Sequence, residues 1–355
     1  MITGNKGEWS ELYVLLYLLG TGKLYSADEK AVRMQDVYFP ILRILRNEGD
    51  REIDYHITNE KAVEIIMNGQ TLGKISVDVF KKEADFLLTA IREGSDRAFS
   101  VTRTEDFMWH IHTRRLAAPS SDKTDITLQL QDIHTGYEPI MGFSIKSELG
   151  NPPTLLNASG ATNFVYAIDN IDDNDMYEIN AIDTKSKIVD RMIEIRNRGG
   201  VVRFSHTANR TFANNLMLID SSMERIVADM LYSSYLMGES KCQNLVLLLE
   251  NKNPLSYLSY GFYLFKFKRL LSAIALGMKP SVLWDGVDEA NGGYIIVTSH
   301  GDVIAYHIYN RNFFEQYLLE NTRFEKPSTT RHGYASIYKQ DGKYYINLNL
   351  QIRFK

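Results

Sequence analysis

Two short stretches alternate apolar and polar residues, and that two-residue period commits them to β-strands rather than helices. In DITLQLQD (125–132), Ile126, Leu128 and Leu130 share one face, and Asp125, Thr127, Gln129 and Gln131 share the other. In IMGFSIKS (140–147), Met141, Phe143 and Ile145 are the apolar set, set against Gly142, Ser144 and Lys146. The intervening IHTGYEP is turn-like, so the pair reads as a hairpin folded about a centre near Gly136. On that centre, position 125 falls opposite 146–147, and Asp125, Ser144 and Lys146 converge on one polar patch. Asp132 has the parity of the apolar face and stands at the turn end, away from Lys146.

An acid opening one strand and an x-Lys pair on the next is the arrangement of metal-dependent nucleases of the PD-(D/E)xK kind. The residue types suit that chemistry. Carboxylates hold Mg²⁺, which neutralises a phosphodiester and acidifies a bound water. A lysine beside the metal orients that water and offsets developing negative charge. Spacing alone leaves a second reading open, in which the hairpin's polar face simply meets solvent. Ser144 counts against a nuclease, because a serine hydroxyl is a poor Mg²⁺ ligand. A carboxylate from GEWSELYVLLYLLGTG could replace it. That segment reads as a helix, with Glu8 and Glu11 on one side. Many such nucleases carry a metal-reaching Glu in the first helix, eleven residues before a Gly, as Glu11 and Gly22 are here. By themselves, these acids would only complement the helix dipole.

The chain has 355 residues, 44% hydrophobic and 24% charged, which is ample for a buried core in one large domain or two ordinary ones. Its strongest apolar run, LYVLLYLL (12–19), is too short to span a bilayer, and MITGNKGEWSE has no signal-peptide pattern. The single cysteine, Cys242, excludes a disulfide framework or Cys-rich zinc cluster and fits a cytoplasmic setting; it reads as a core residue. Further along, 59–69 and 76–93 read as helices with TLGK (71–74) as a turn between them, and Val79, Ala84, Leu87, Leu88 and Ile91 face inward. His110 and His112 alternate as on a strand, and no ligand cluster accompanies them. Residues 222–238 form a helix, LVLLLE (245–250) a buried strand and 254–277 a long aromatic helix. Residues 292–309 form a hairpin around HGD, RNFFEQYLLEN a short helix, and YASIYKQDGKYYINLNLQIRF a hairpin with a DG turn. Helices first, a hairpin in the middle and hairpins at the close make an α+β (mixed α/β) pattern.

Several blocks in the same order resemble the HpaII family of type II restriction endonucleases: GNKGEWSE (4–11), GKLYSADE (22–29), KTDITLQLQD…GFSIKSELGNPPTLLNASGATNF (123–164) and the ending YINLNLQIRFK. The resemblance covers nearly the whole chain, and the SIKS-x-LG-x-PPTLLNAS block is far longer than a chance motif. It implies a PD-(D/E)xK core with a central mixed sheet flanked by helices. It also implies Mg²⁺-dependent cleavage of double-stranded DNA at a short palindrome, with CCGG the expected site and Mn²⁺ a substitute metal. The metal-site acid of the KTDI block falls on Asp125, the strand lysine on Lys146, the serine on Ser144 and the helix acid on Glu11, with Glu8 beside it. A serine in place of an acid belongs to the family's pattern. The expected organisation is one endonuclease domain, 1–355, with the catalytic core in about 1–170 and recognition and dimerisation elements within 171–355.

Net charge is −4, so DNA contacts must be local basic patches. Between Lys185 and Arg210, seven basic residues face two acids, and RNRGGVVRFSHTANR reads as a glycine turn in a basic loop or hairpin bearing Arg196, Arg198, Arg203 and Arg210. RFEKPSTTRHG adds Lys326 and Arg331, and HTRR (112–115) precedes the catalytic strand. Each patch is also compatible with a plain solvated face. The expected enzyme is a cytoplasmic homodimer, because a two-fold protein matches a two-fold DNA site. A cognate DNA methyltransferase would be its genetic partner. The rival readings are a structure-specific or repair nuclease on the same core and a catalytically dead DNA-binding module.

Overall fold

The helix expected in GEWSELYVLLYLL is α1 (Lys6–Thr21) of the computed structural model, which describes residues 1–355 apart from 50, 59–60, 96, 120–123 and 134. The Asn5 side chain accepts from the Gly7 and Glu8 N–H groups, and the Glu8 carboxylate accepts from the Asn5 N–H at 2.7 Å, a reciprocal capping box. Gly22 ends the helix at φ 65°, a conformation that favours glycine. Trp9, Leu12, Val14, Leu15, Leu16, Leu18 and Leu19 are all buried, so α1 needs cover on several sides. Part of that cover is α2 (Val77–Glu93), which buries Phe80, Ala84, Leu87 and Ile91. Val79, expected inward, is 39% exposed because it lies one position off that stripe.

The chain divides into two units, Met1–Pro153 with Asp288–Tyr317, and Thr154–Val287 with Leu318–Lys355. In the first, α1 and α2 accompany β1 (Lys23–Ala27), β2 (Arg33–Asn47), β3 (Glu52–Ile57), β4 (Ala62–Met67), β5 (Gln70–Ser76), β6 (Ile126–Leu130) and β7 (Ile140–Ser147). The expected hairpin at 292–309 supplies the strands Gly293–Val297 and Val303–His307. Among the described residues these nine strands join in one mixed sheet, in the order β1, Val303–His307, Gly293–Val297, β7, β6, β2, β3, β4, β5. β1 also pairs with β2, so the pairings close a ring of six strands and leave β3, β4 and β5 as a wing. The 15-residue β2 makes this possible: residues 33–40 pair with β1, and residues 41–45 with β6. Ile44, Leu128, Phe143, Ile145, Ile295 and Val303 share one core with the leucines of α1.

The wing corrects the sequence reading. Residues 62–67 are a strand rather than part of a helix 59–69, and TLGK lies inside β5; positions 59–60 are outside the described residues. The turn between them is Asn68-Gly69, with φ 49° and 79°, the pairing that two-residue hairpin turns demand. His110 ends a helix, α3 (Thr102–His110), and His112 has φ 62°, so the two are not strand neighbours.

In the second unit, a four-stranded sheet runs Val201–Thr207, Asn163–Asp169, Lys343–Asn349, Ile337–Gln340. The expected DG turn is present at Asp341-Gly342, with φ 50° and 77°. The Tyr166 hydroxyl donates to the Ala228 carbonyl at 2.7 Å, tying the sheet to the expected helix, Met223–Met237. Buried Asn349 donates to Asn163 Oδ1 and to the Ser159 carbonyl, both at 2.7 Å, linking NASGATNF to the closing strand segment. LVLLLE belongs to the helix Cys242–Lys252: Cys242, Leu245, Val246 and Leu249 are buried at helical spacing, and six apolar letters alone cannot distinguish that from a strand. Burial pushes the Cys242 thiol up to about 12, which suits the core role expected of it. The helix expected over 254–277 is Phe262–Leu276. The basic stretch after Lys185 is a helix (Lys187–Asn197), a turn at Gly199 with φ 80°, and an edge strand (Val201–Thr207) rather than a loop or local hairpin. Among the described residues no helix is long and apolar enough to cross a membrane.

Candidate active site

β6 and β7 pair antiparallel with Ile126 opposite Phe143 and Thr127 opposite Gly142, which sets Asp125 opposite Ser144. The expected alignment with 146–147 is therefore displaced by about one strand repeat. The register centres the hairpin nearer β6 than Gly136, and the Asp132 backbone carbonyl accepts from the Gly136 N–H at 2.7 Å. A two-residue displacement keeps each side chain on its face, so the polar patch survives the change of register.

Asp125 Oδ2 accepts from Ser144 Oγ at 3.0 Å and from the Ile145 N–H at 2.6 Å. Lys146 Nζ donates to Ser144 Oγ and to the Ile145 carbonyl, both at 3.0 Å, and lies 3.9 Å from Asp125 Oδ2. Ser144 thus bridges acid and base, accepting from the ammonium while donating to the carboxylate. Tyr294, which the sequence reading did not select, is aligned with Ser144 in the parallel pairing of β7 with Gly293–Val297. Its hydroxyl hydrogen-bonds Ser144, and its ring centroid lies 5.5 Å from Lys146 Nζ. Burial first, and then the Asp125 charge, hold its phenol well above the ordinary range. No local motif marks Tyr294; only the long-range strand pairing brings it here.

Glu11 reaches the same patch from α1. Ser10, beside it, is hydrogen-bonded hydroxyl to hydroxyl with Ser147, beside Lys146, at 2.8 Å in the buried seam between helix and strand. Glu11 Oε2 accepts from the Ala118 N–H at 3.0 Å. The loop carrying Ala118 is anchored in turn. Buried Glu48 accepts from Thr113 Oγ1, from the Arg114 N–H at 3.2 Å and from Arg46 Nε, and Arg46 also donates to the Arg115 carbonyl. HTRR therefore contributes a structural clamp. Burial, and next the neighbouring Asp125 charge, push the Glu11 carboxyl up to about 8, against smaller opposing effects of Ala118, Lys146 and Arg46. A cavity of about 170 Å³, lined by Asp125, Thr124, Ala118, Pro119, Arg46 and Asn47 among others, opens beside these groups.

Two acids, Glu11 and Asp125, are thus brought together, and Glu8 is not: its carboxylate is engaged at the helix cap. Among the described residues no three or more His, Cys, Asp or Glu side chains are grouped to hold a metal ion. Two hard oxygen donors nevertheless fit Mg²⁺, which commonly takes one or two carboxylates and completes its shell with water and substrate phosphate. Burial, and then the Asp125 charge, disfavour the ionised form of Glu11, and a cation between the two carboxyls would favour it.

The basic residues selected for DNA lie in the second unit and differ in availability. Arg198 is held by Asp175, Glu178 and Glu194 at 2.8, 2.7 and 2.8 Å, and Arg203 pairs with Asp169 at 2.8 Å. Arg196, Arg210, Lys326 and Arg331 are exposed and form no ion pair among the described residues.

The family model described as HpaII restriction endonuclease matches residues 5–354. The type II restriction enzyme HpaII of Haemophilus parainfluenzae is 38% identical over 356 residues, covering 99% of this chain and 98% of that protein. No solved structure matches the chain. With a family match running almost from end to end, the chain belongs to the HpaII restriction endonuclease family.

Proposed function

We propose that this chain is a Mg²⁺-dependent type II restriction endonuclease with a PD-(D/E)xK core, hydrolysing both strands of DNA at a short palindrome, with CCGG the site expected. The observation that carries the reading is the Asp125–Ser144–Lys146 cluster with Glu11 beside it, its carboxyl pushed up to about 8 by burial and by Asp125. Asp125 and Glu11 would hold the metal, which when bound supplies charge neutralisation at the phosphate and acidification of a water. Lys146, steered by Ser144 Oγ and the Ile145 carbonyl, presents its remaining N–H to the attacking water or a phosphate oxygen and offsets charge as the P–O bond breaks. Ser144 keeps acid and base at their spacing without adding a third negative charge. Glu8 is left as a helix cap.

The core expected in 1–170 then has its metal and base ligands in the first unit, while Arg196, Arg210, Lys326 and Arg331 serve the DNA backbone from the second. Arg198 and Arg203 are already paired and contribute less. A homodimer puts one active site on each strand of a two-fold site, in a cell whose own DNA a methyltransferase protects. Digestion of a sequenced plasmid with Mg²⁺ or Mn²⁺, followed by end mapping, tests this. Discrete fragments whose ends share one palindrome are expected. A smear would point to a nuclease that reads no sequence, and binding without any cleavage to a dead module.

A further inference from the structure

Beyond Asp125, the polar face of the sheet continues across β6, β2 and β3 into a second cavity, of about 420 Å³, which no role yet described uses. The two cavities share Leu45, Arg46, Asn47 and Thr127 in their walls, so one depression runs from the candidate catalytic acid to the turn of the exposed β4–β5 hairpin. The side chains in it are pre-oriented. Arg43 donates through Nε to Gln129 Oε1 at 2.6 Å and through Nη1 to Asp54 Oδ2 at 2.8 Å, which fixes the guanidinium plane. Its Nη2 has no partner among the described residues. Asn47 Oδ1 accepts from the Gly49 N–H at 2.8 Å and Asn68 Oδ1 from the Glu52 N–H at 3.2 Å, and among the described residues both Nδ2 donors are unused. Asp54 Oδ1 is a buried acceptor with no hydrogen-bond partner among the described residues.

We infer that this groove reads a base edge of the DNA, with Arg43 the specificity-determining residue and a guanine the base it fits; the inference rests on the nuclease reading. A phosphate would be a poor occupant, because Glu52 and Asp54 line the same cavity and phosphate oxygens only accept. A base pair offers donors and acceptors together, and a planar arginine matches the two acceptors on guanine. Side chains buttressed before the DNA arrives lose little freedom on binding it, which favours discrimination. The sheet wing also presents an edge: Gln70, Thr71, Leu72, Gly73 and Lys74 of β5 are exposed, a shape that a DNA groove admits.

The test measures binding in EDTA to a duplex carrying the mapped cleavage site and to a scrambled duplex, for wild type, Arg43→Ala and Arg43→Lys, each at several salt concentrations. Both variants should lose about 10- to 100-fold in site binding, with scrambled-duplex binding and its salt slope close to wild type. Arg43→Lys keeps the charge and loses the fork, so its failure on the site separates base reading from charge. Thermal melting establishes that each variant is folded, and a site-to-scrambled ratio is read on folded protein only. An unchanged ratio would overturn the inference, as would an equal loss on both duplexes with a shallower salt slope, the signature of a phosphate contact. The wild-type digest reads the nuclease proposal separately: discrete cleavage with an unchanged Arg43 ratio removes the base-reading role alone, and no cleavage removes both.

Discussion

Ser144 stands where an acid would be expected, and its hydrogen bonds give a physical reason. One hydroxyl donates to Asp125 and accepts from Lys146, so it couples the two without the repulsion a third carboxylate would add to Glu11 and Asp125. Ser144→Ala should lower the single-turnover cleavage rate by about 10- to 100-fold with little change in DNA affinity, measured under enzyme excess. Glu11 carries a pH signature. Its folded carboxyl titrates near 8 against 4.5 for the free group, so the folded state binds the extra proton between those values and stability falls as pH rises through that window. In EDTA, Glu11→Gln should melt with wild type below about pH 4.5 and above it by a growing margin up to about pH 8. Added Mg²⁺ should stabilise wild type, by about 2.7 kcal/mol at a hundredfold excess over Kd, and Glu11→Gln much less. Parity made Asp125, Ser144 and Lys146 legible in the sequence, because alternation depends only on local period. Tyr294 was not, since its place beside Ser144 comes from a strand that follows 150 residues later.

At the scale of elements, the helix that carries Glu11 is held to the strand that carries Lys146 by the buried Ser10–Ser147 pair and, through Ala118, by the Glu48 clamp. Ser147→Ala should cost about 1 kcal/mol in denaturant unfolding and a larger share of activity, because it loosens α1 where Glu11 leaves it. His307 ends its strand buried beneath Phe39 and Phe143, and burial lowers its pKa from 6.5 to about 4. The unfolded chain therefore binds the proton first, so stability is full above about pH 6.5 and falls as pH drops toward 4. In His307→Gln, the acid limb of a stability–pH curve should flatten across that interval. Strong periodicity identified α1, α2 and the hairpins at 125–147 and 292–309. It failed at 62–76, where helix-compatible letters were read ahead of the Asn68-Gly69 turn, and at 245–250, where a short apolar run fits either element.

Over the whole molecule, the first unit is assembled from both ends of a long insertion: 288–317 returns to supply two strands of the sheet that contains β6 and β7. Nothing local in the sequence announces that return, which is why the sequence points to a core within about 1–170 while two strands of the first unit come from 288–317. The −4 net charge leaves DNA affinity to local basic groups, and Arg196→Ala or Arg331→Ala should weaken binding to any duplex about equally and reduce the salt slope by about one. In this assignment Asp125 and Lys146 carry the chemistry on DNA that the chain binds by other residues. Its most direct test is single-turnover cleavage in Mg²⁺ by wild type, Asp125→Ala and Lys146→Ala, with affinity for the same duplex measured in EDTA. Both variants should bind and melt close to wild type and cut at least about a hundredfold more slowly; cleavage by either at the wild-type rate would contradict the assignment.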